Sequence, residues 1–279
     1  MHTEPLFTIG KFSVHLYGIF IGIGVLCCLF VYFFYTKKRG VPSSIQDLGF
    51  YSAVVAIGLG FLFAKISQAF FVYLTTGVFN FSSAGMTAMA GFIWGAIFFV
   101  IVYFGVGAYI FKGEKKGLHI KHFNSILLIA GPCISIAHAF GRIGCLMAGC
   151  CHGAYLGKEP VANGIWMTPH NAPAGYYVPM QLYEALFLFV LFAILTILYF
   201  KRFNITHVVY LALYGFWRFI VEFFRTDDRG FFLGLYPSQW VSILFVLVAI
   251  ILVVIYKVKK KPFILPFLSD LEKDKKEKQ

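Results

Sequence analysis

The chain has 279 residues, 59% of them hydrophobic and only 13% charged, with a mean hydropathy of +0.79. About a quarter of the residues in a soluble protein are charged, so this composition cannot cover a soluble surface. The net charge of +12 would suit nucleic acid, but the lysines lie in short loops between apolar runs and in a C-terminal tail. That is the pattern of loops beside an anionic membrane leaflet, and nucleic acid is set aside as a partner.

The apolar runs approach or exceed the ~20 residues that carry a helix across a bilayer. They are too continuous for the alternating strands of a barrel. The expected fold class is all-α, a polytopic membrane protein of seven transmembrane helices. Residues 1–14 form a short leader without the basic start and small-residue cleavage site of a signal peptide, so the first apolar run is kept as a span. That span, 15–35, opens with Tyr17, placed as an interfacial aromatic, and is followed by Lys37, Lys38 and Arg39. The second, 48–74, contains Lys65, which needs a partner or a route to the interface.

The third span, 85–111, opens with the small residues Gly85, Ala88, Ala90, Gly91 and Gly95. Small residues let helices approach closely; a second reading has Gly91 admitting a lipid headgroup to the backbone. A basic loop, 112–122, leads to the fourth span, 124–140. The stretch Gly141–Gly153, GRIGCLMAGCCHG, follows, with Arg142 at the membrane boundary and Cys145, Cys150, Cys151 and His152 close behind. Residues 152–178 are polar and rich in Gly, Pro and Asn, and are expected to form an ordered cap. The fifth span, 180–200, opens with Gln181, Tyr183 and Glu184. The sixth, 206–225, precedes Asp227, Asp228 and Arg229, and the seventh, 237–256, precedes a lysine-rich tail. The expected organisation is one transmembrane domain, 1–262, and a charged tail, 263–279.

Loops after the odd-numbered spans are strongly basic and those after the even-numbered ones are not. The positive-inside rule then puts the C-terminus in the cytoplasm, the N-terminus outside, and Gly141–Gly153, the cap and Arg225–Tyr236 on the outer face.

The sixth span reads Tyr214-Gly-Phe-Trp-Arg218-Phe-Ile-Val-Glu222-Phe-Phe-Arg225. On one continuous helix Arg218, Glu222 and Arg225 share a face, with Arg218 roughly 18 Å along it. A charge at that depth needs a partner or a wet cavity. Either Arg218 and Glu222 join helices, or the arginines form an anion site in which Arg142 and Arg218 converge on one phosphate. Glu184 either complements its helix dipole or orients one of these arginines.

These residues together resemble the prolipoprotein diacylglyceryl transferase family. The family motif is Gly-Arg-x-Gly/Ala-Asn-Phe-x-Asn-x-Glu-x-x-Gly, which Gly141, Arg142, Gly144 and Gly153 match. His15-Leu-Tyr17-Gly18, Gln181-Leu-Tyr183-Glu184 and Arg218-x-x-x-Glu222-x-x-Arg225 also look like the family's. The resemblance implies a multi-pass protein of the bacterial inner membrane. It implies transfer of the diacylglyceryl group of phosphatidylglycerol to a cysteine thiol of a lipoprotein precursor, with no metal or nucleotide cofactor. Arg142, Arg218 and Glu222 would carry catalysis, with Tyr17, Gly91, Gly153, Gln181, Tyr183, Glu184 and Arg225 around the substrates.

The chain departs from the family at definite positions. Cys145 and Ala148 replace the motif's asparagines and Cys150 its glutamate. Met89 stands at the usual general-base histidine, Lys65 at a usual arginine, and Val178 at a usual histidine. His138, His152, Glu184 and Glu222 are the substitute bases on offer. The cysteines leave three readings open: a disulfide joining Cys145 to Cys150 or Cys151, a metal site completed by His138 and His152, and thiol redox or transfer to another acceptor. Cys27, Cys28 and Cys133 read as small apolar residues within spans. Leu146-Met-Ala-Gly149-Cys150 itself resembles a lipobox, which raises self-modification. A non-enzymatic anionic-lipid-binding protein is a further alternative.

Overall fold

The computed structural model describes residues 5–10, 12–79, 81, 88–169, 172–225 and 234–260. Gly85, Asp227, Asp228, Arg229 and the tail 263–279 lie outside the described residues. Seven described helices are long and apolar enough to cross a membrane, as the composition requires, because a helix satisfies its own backbone groups in lipid. They are α1 (Leu16–Lys38), α2 (Ser43–Thr76), α3 (Ala88–Ile110), α4 (Leu118–Met147), α5 (Met180–Phe200), α6 (Thr206–Val221) and α7 (Pro237–Val258).

Two helix ends correct the sequence reading. The fourth helix runs on to Met147, so Arg142 and Cys145 are helical and do not begin a loop. The sixth gives way at Glu222 to a 3-10 turn, Glu222–Phe224, and Arg225 is extended with φ −93°. Arg225 therefore leaves the helical face of Arg218. The chain also carries β-structure beyond the all-α plan. β1 (Phe7–Ile9) and β2 (Phe12–Val14) form a hairpin. The cap is a three-stranded antiparallel sheet of β3 (Tyr155–Gly157), β4 (Ile165–Met167) and β5 (Gly175–Tyr177), in the order β3-β5-β4.

The chain groups into two compact units, residues 40–126 and residues 1–39 with 127–279. In the first, α2 and α3 pack through small residues. A Cβ on Gly60 would come within 3.0 Å of the Gly91 carbonyl and 3.2 Å of Gly95 Cα. Gly91 and Gly95 thus serve helix packing. Trp94 Nε1 donates to Ser67 Oγ at 3.0 Å beside that contact. Lys65 reaches along the helix to lie 4.8 Å from the Phe81 ring centroid, a cation–π contact that answers its need for a partner.

In the second unit, polar groups at definite depths tie the helices together. Pro132 lies inside α4 and has no N–H to offer the Leu128 carbonyl four residues earlier. Thr206 Oγ1 donates to that carbonyl at 2.6 Å, fastening α6 to α4. Arg39, just past α1, donates from Nη2 to the Tyr199 carbonyl at 2.8 Å, a second donor beside the Arg202 N–H at 3.1 Å, and so ties the end of α1 to the end of α5. Tyr35 and Tyr199 stack with centroids 4.8 Å apart. At the opposite ends of these helices, Gly144 allows α1 onto α4, since a Cβ there would meet the Tyr17 ring and carbonyl at 3.2 Å.

Candidate active site

Glu184 is the hub. It sits in the second turn of α5, only 1% exposed. From α4, Arg142 Nη2 reaches its Oε1 at 3.0 Å. From α6, Arg218 Nη1 lies 3.7 Å from its Oε2, while Nη2 of the same arginine pairs with Glu222 Oε2 at 2.8 Å. Tyr214 Oη donates to Glu184 Oε1 at 3.3 Å, and His138 Nε2 lies 3.8 Å from that oxygen. Three helices thus converge on one carboxylate. Helical spacing explains the set: His138 and Arg142 are four apart on α4, and Tyr214, Arg218 and Glu222 follow at fours along α6.

The cluster is more than a set of neutralised pairs. Arg142 Nε is buried with no hydrogen-bond partner, and Arg218 Nη1 likewise has only its longer ionic contact. Buried donors are nearly always satisfied, so these two call for an acceptor. Arg225 is buried and close enough to add its charge to the field at Glu184. Arg142 and Arg218 thus bring permanent positive charge and unfilled donors to one buried place, an arrangement suited to an anion such as a phosphodiester.

The family model for prolipoprotein diacylglyceryl transferase matches residues 4–255. The chain belongs to that family. It is 32% identical over 271 residues to the phosphatidylglycerol–prolipoprotein diacylglyceryl transferase of Dehalococcoides mccartyi, covering 94% of this chain and 96% of the relative. It is 30% identical over 276 residues to the Staphylococcus aureus protein of that name, with coverage of 94% and 92%. A second such transferase of Clostridium perfringens is 28% identical over 257 residues, with coverage of 88% and 93%.

The family's expected site residues fall into four places. Arg142, Arg218, Glu222, Glu184 and Arg225 form the charged cluster. Tyr17 and Tyr183 are partly exposed near helix starts, Tyr17 against Gly144. Gln181 and Gly153 serve the cap. Gln181 is buried and donates from Nε2 to the Cys150 carbonyl. Gly153 donates its N–H to the Val178 carbonyl at 2.9 Å and bridges to Arg225. A Cβ on Gly153 would meet Met180 Cγ at 2.9 Å and the Phe224 carbonyl at 3.0 Å, which is reason enough for glycine. Gly91 is placed in the α2–α3 contact, 3.5 Å from Ala64 as measured from its virtual Cβ.

The substitute bases are largely committed elsewhere. Glu184 and Glu222 each serve guanidiniums. His152 has Nδ1 3.0 Å from the Gly153 carbonyl and its ring 4.2 Å from that of Tyr177, within the cap. His138 lies against Glu184 and Tyr214. Neither histidine joins the cysteines, so a metal site completed by His138 and His152 is not assembled.

Cys145, Cys150 and Cys151 form no disulfide, and their sulfurs all lie within 4.8 Å of one another. Hydrogen bonds from Cys145 and Cys150, and then the charges of Arg225 and Arg142, pull the Cys151 thiol below its ordinary value. The lipobox-like stretch, Leu146–Cys150, is not displayed as an extended substrate. Leu146 and Met147 are helical, and Leu146 is buried against Met167 and Tyr177 of the cap. Tyr214 is the member of the cluster to which sequence assigned no role. Its place one turn before Arg218 was the available signal.

Proposed function

We propose that this protein transfers the diacylglyceryl group of phosphatidylglycerol to the cysteine thiol of lipoprotein precursors. The observation that carries this reading is the pair of guanidiniums, Arg142 and Arg218, held from two helices on the buried Glu184 carboxylate with donors to spare. Arg142 Nε and Arg218 Nη1 donate to the headgroup phosphate. Glu184 and Glu222 hold the two planes in place. As the glyceryl carbon–oxygen bond breaks, negative charge grows on the departing glycerol phosphate, and fixed cations stabilise it without reorganising. The sulfur of the precursor forms the new bond at that carbon.

Residues 1–262 serve as the transferase domain, and 263–279 as a cytoplasmic tail. The basic loops after odd-numbered spans support an N-terminus outside and a C-terminus inside a bacterial cytoplasmic membrane. Tyr17 and Tyr183, at helix starts on the side of the cap, contact substrates at the entrance.

Complementation tests the reading. A bacterium depleted of its own transferase is expected to regain lipoprotein maturation with this chain, and to lose it with Arg142→Ala or Arg218→Ala. Normal membrane expression without rescue would contradict the function. Full rescue by both variants would contradict the phosphate site.

A further inference from the structure

The three cysteines occupy motif positions where the family carries asparagine and glutamate, or lie beside them, and the chain lacks the family's histidine at Met89. Two buried glutamates are tied to arginines and two histidines are engaged elsewhere. Among the described residues, none of these four candidate bases is left uncommitted to make the acceptor thiol nucleophilic. The cysteine turn supplies a different kind of group.

Its geometry is built. Cys145 lies in the last turn of α4, one helical turn beyond Arg142. The chain then reverses through Gly149, with φ +66°, and Cys151, with φ +64°. A left-handed conformation is uncommon for a cysteine, and strain of this sort gathers at ligand sites. Gln181 pins the turn through the Cys150 carbonyl. The three sulfurs end within 4.8 Å of one another, with Cys150 exposed and the others half-buried. Thiolates around a Zn2+ sit about 2.3 Å from the metal, which sets them roughly 4 Å apart, so the triangle needs only a small contraction. A disulfide would use two sulfurs and leave the third without a role.

We propose that Cys145, Cys150 and Cys151 hold a thiophilic divalent cation, Zn2+, through three thiolates, and that its open fourth position takes the thiol of the acceptor cysteine. This rests on the transferase reading. Three protein ligands with one open position is the arrangement of catalytic zinc. Three thiolates around Zn2+ carry one net negative charge, and Arg142 stands one turn before Cys145 on the same helix. A thiol that binds such a metal is deprotonated outright. The step balances without redox chemistry. The acceptor S–H gives its proton to solvent on coordination. The sulfur then bonds to the glyceryl carbon as the carbon–oxygen bond breaks, and the electron pair leaves with glycerol phosphate. The thioether product, a weaker ligand, departs from the metal.

The test uses the full chain in detergent under reductant, with Co2+ as the spectroscopic probe. About one Co2+ per chain is expected, with thiolate-to-cobalt charge-transfer absorption and tetrahedral visible bands. Each of Cys145→Ser, Cys150→Ser and Cys151→Ser should weaken binding at least about tenfold. A lipobox peptide should shift the visible bands, and the same peptide with serine for cysteine should not. A readout on the unmutated chain guards against misfolded variants: Zn2+ should protect the three thiols from alkylation. No Co2+ binding beyond that of the triple serine variant would overturn the proposal. So would a disulfide among the three in the isolated protein, or undiminished transfer by the metal-free chain, which would leave the transferase reading intact. Metal binding with the peptide-dependent shift, but no transfer, would uphold the site and retire the transferase reading instead.

Discussion

Around Glu184, charges from three helices meet on one buried carboxylate, and Arg142 and Arg218 are each held by at least one ion pair. Around Cys145, one helical turn further along α4, three thiols converge at a partly open turn. The first region is closed and pre-set for an anion. The second is open and chemically soft. On the proposed reading the contrast divides a two-substrate reaction, with the arginines binding the phosphate that leaves and the thiols receiving the attacking sulfur. Gly153 joins the two, donating to the cap and bridging to Arg225.

The division can be broken at either side. The largest expected effect is Glu184→Gln, which leaves two buried guanidiniums facing an amide. Removing one partner of a buried ion pair costs about 3–5 kcal/mol, to be read from denaturant unfolding in detergent. Phosphatidylglycerol should restore more of that stability than phosphatidylcholine does. If the variant matches the parent, Glu184 is not the hub. Next is Gly153→Ala. Its new methyl meets Met180 and the Phe224 carbonyl, and overpacking of this kind costs about 1–3 kcal/mol. Proteolysis of the cap should quicken while the Co2+ site persists. Tyr214→Phe removes one donor from Glu184 and should cost about 1 kcal/mol, measured as thermal stability. Gly91→Ala is the smallest. Its methyl would make an ordinary contact with Ala64, so stability should hold or rise by up to about 1 kcal/mol from helix propensity. A large loss of transfer in that variant would instead restore Gly91 as a place where lipid meets backbone.

The seven spans were legible because each is a long apolar run, and α5 begins and ends where hydropathy put it. The end of α4 was not. Arg142 and the glycines around it read as the start of a loop, but the helix continues because Glu184 of α5 neutralises Arg142. That partnership spans forty-two positions of sequence and has no local signal. Arg225 was placed on the α6 face by spacing alone. The helix instead tightens at Glu222, and the Arg225 backbone pairs with Gly153. Arg142, Arg218 and Glu222 could be read because charges inside apolar runs are costly. The convergence of the three sulfurs could not, because it depends on left-handed φ at Gly149 and Cys151.

The most direct test of the central claim reconstitutes the protein in vesicles of phosphatidylglycerol with a peptide that carries a lipobox cysteine. Intact mass spectrometry follows the peptide, and the released glycerol phosphate is assayed in parallel. The account predicts a diacylglyceryl mass gain on the cysteine, matched by an equal release of glycerol phosphate. Removing one oxyanion-stabilising group typically costs about 10²–10³ in rate, and Arg142→Ala or Arg218→Ala should each lose transfer on that scale. No mass gain, or a gain that both variants leave unchanged, would contradict it.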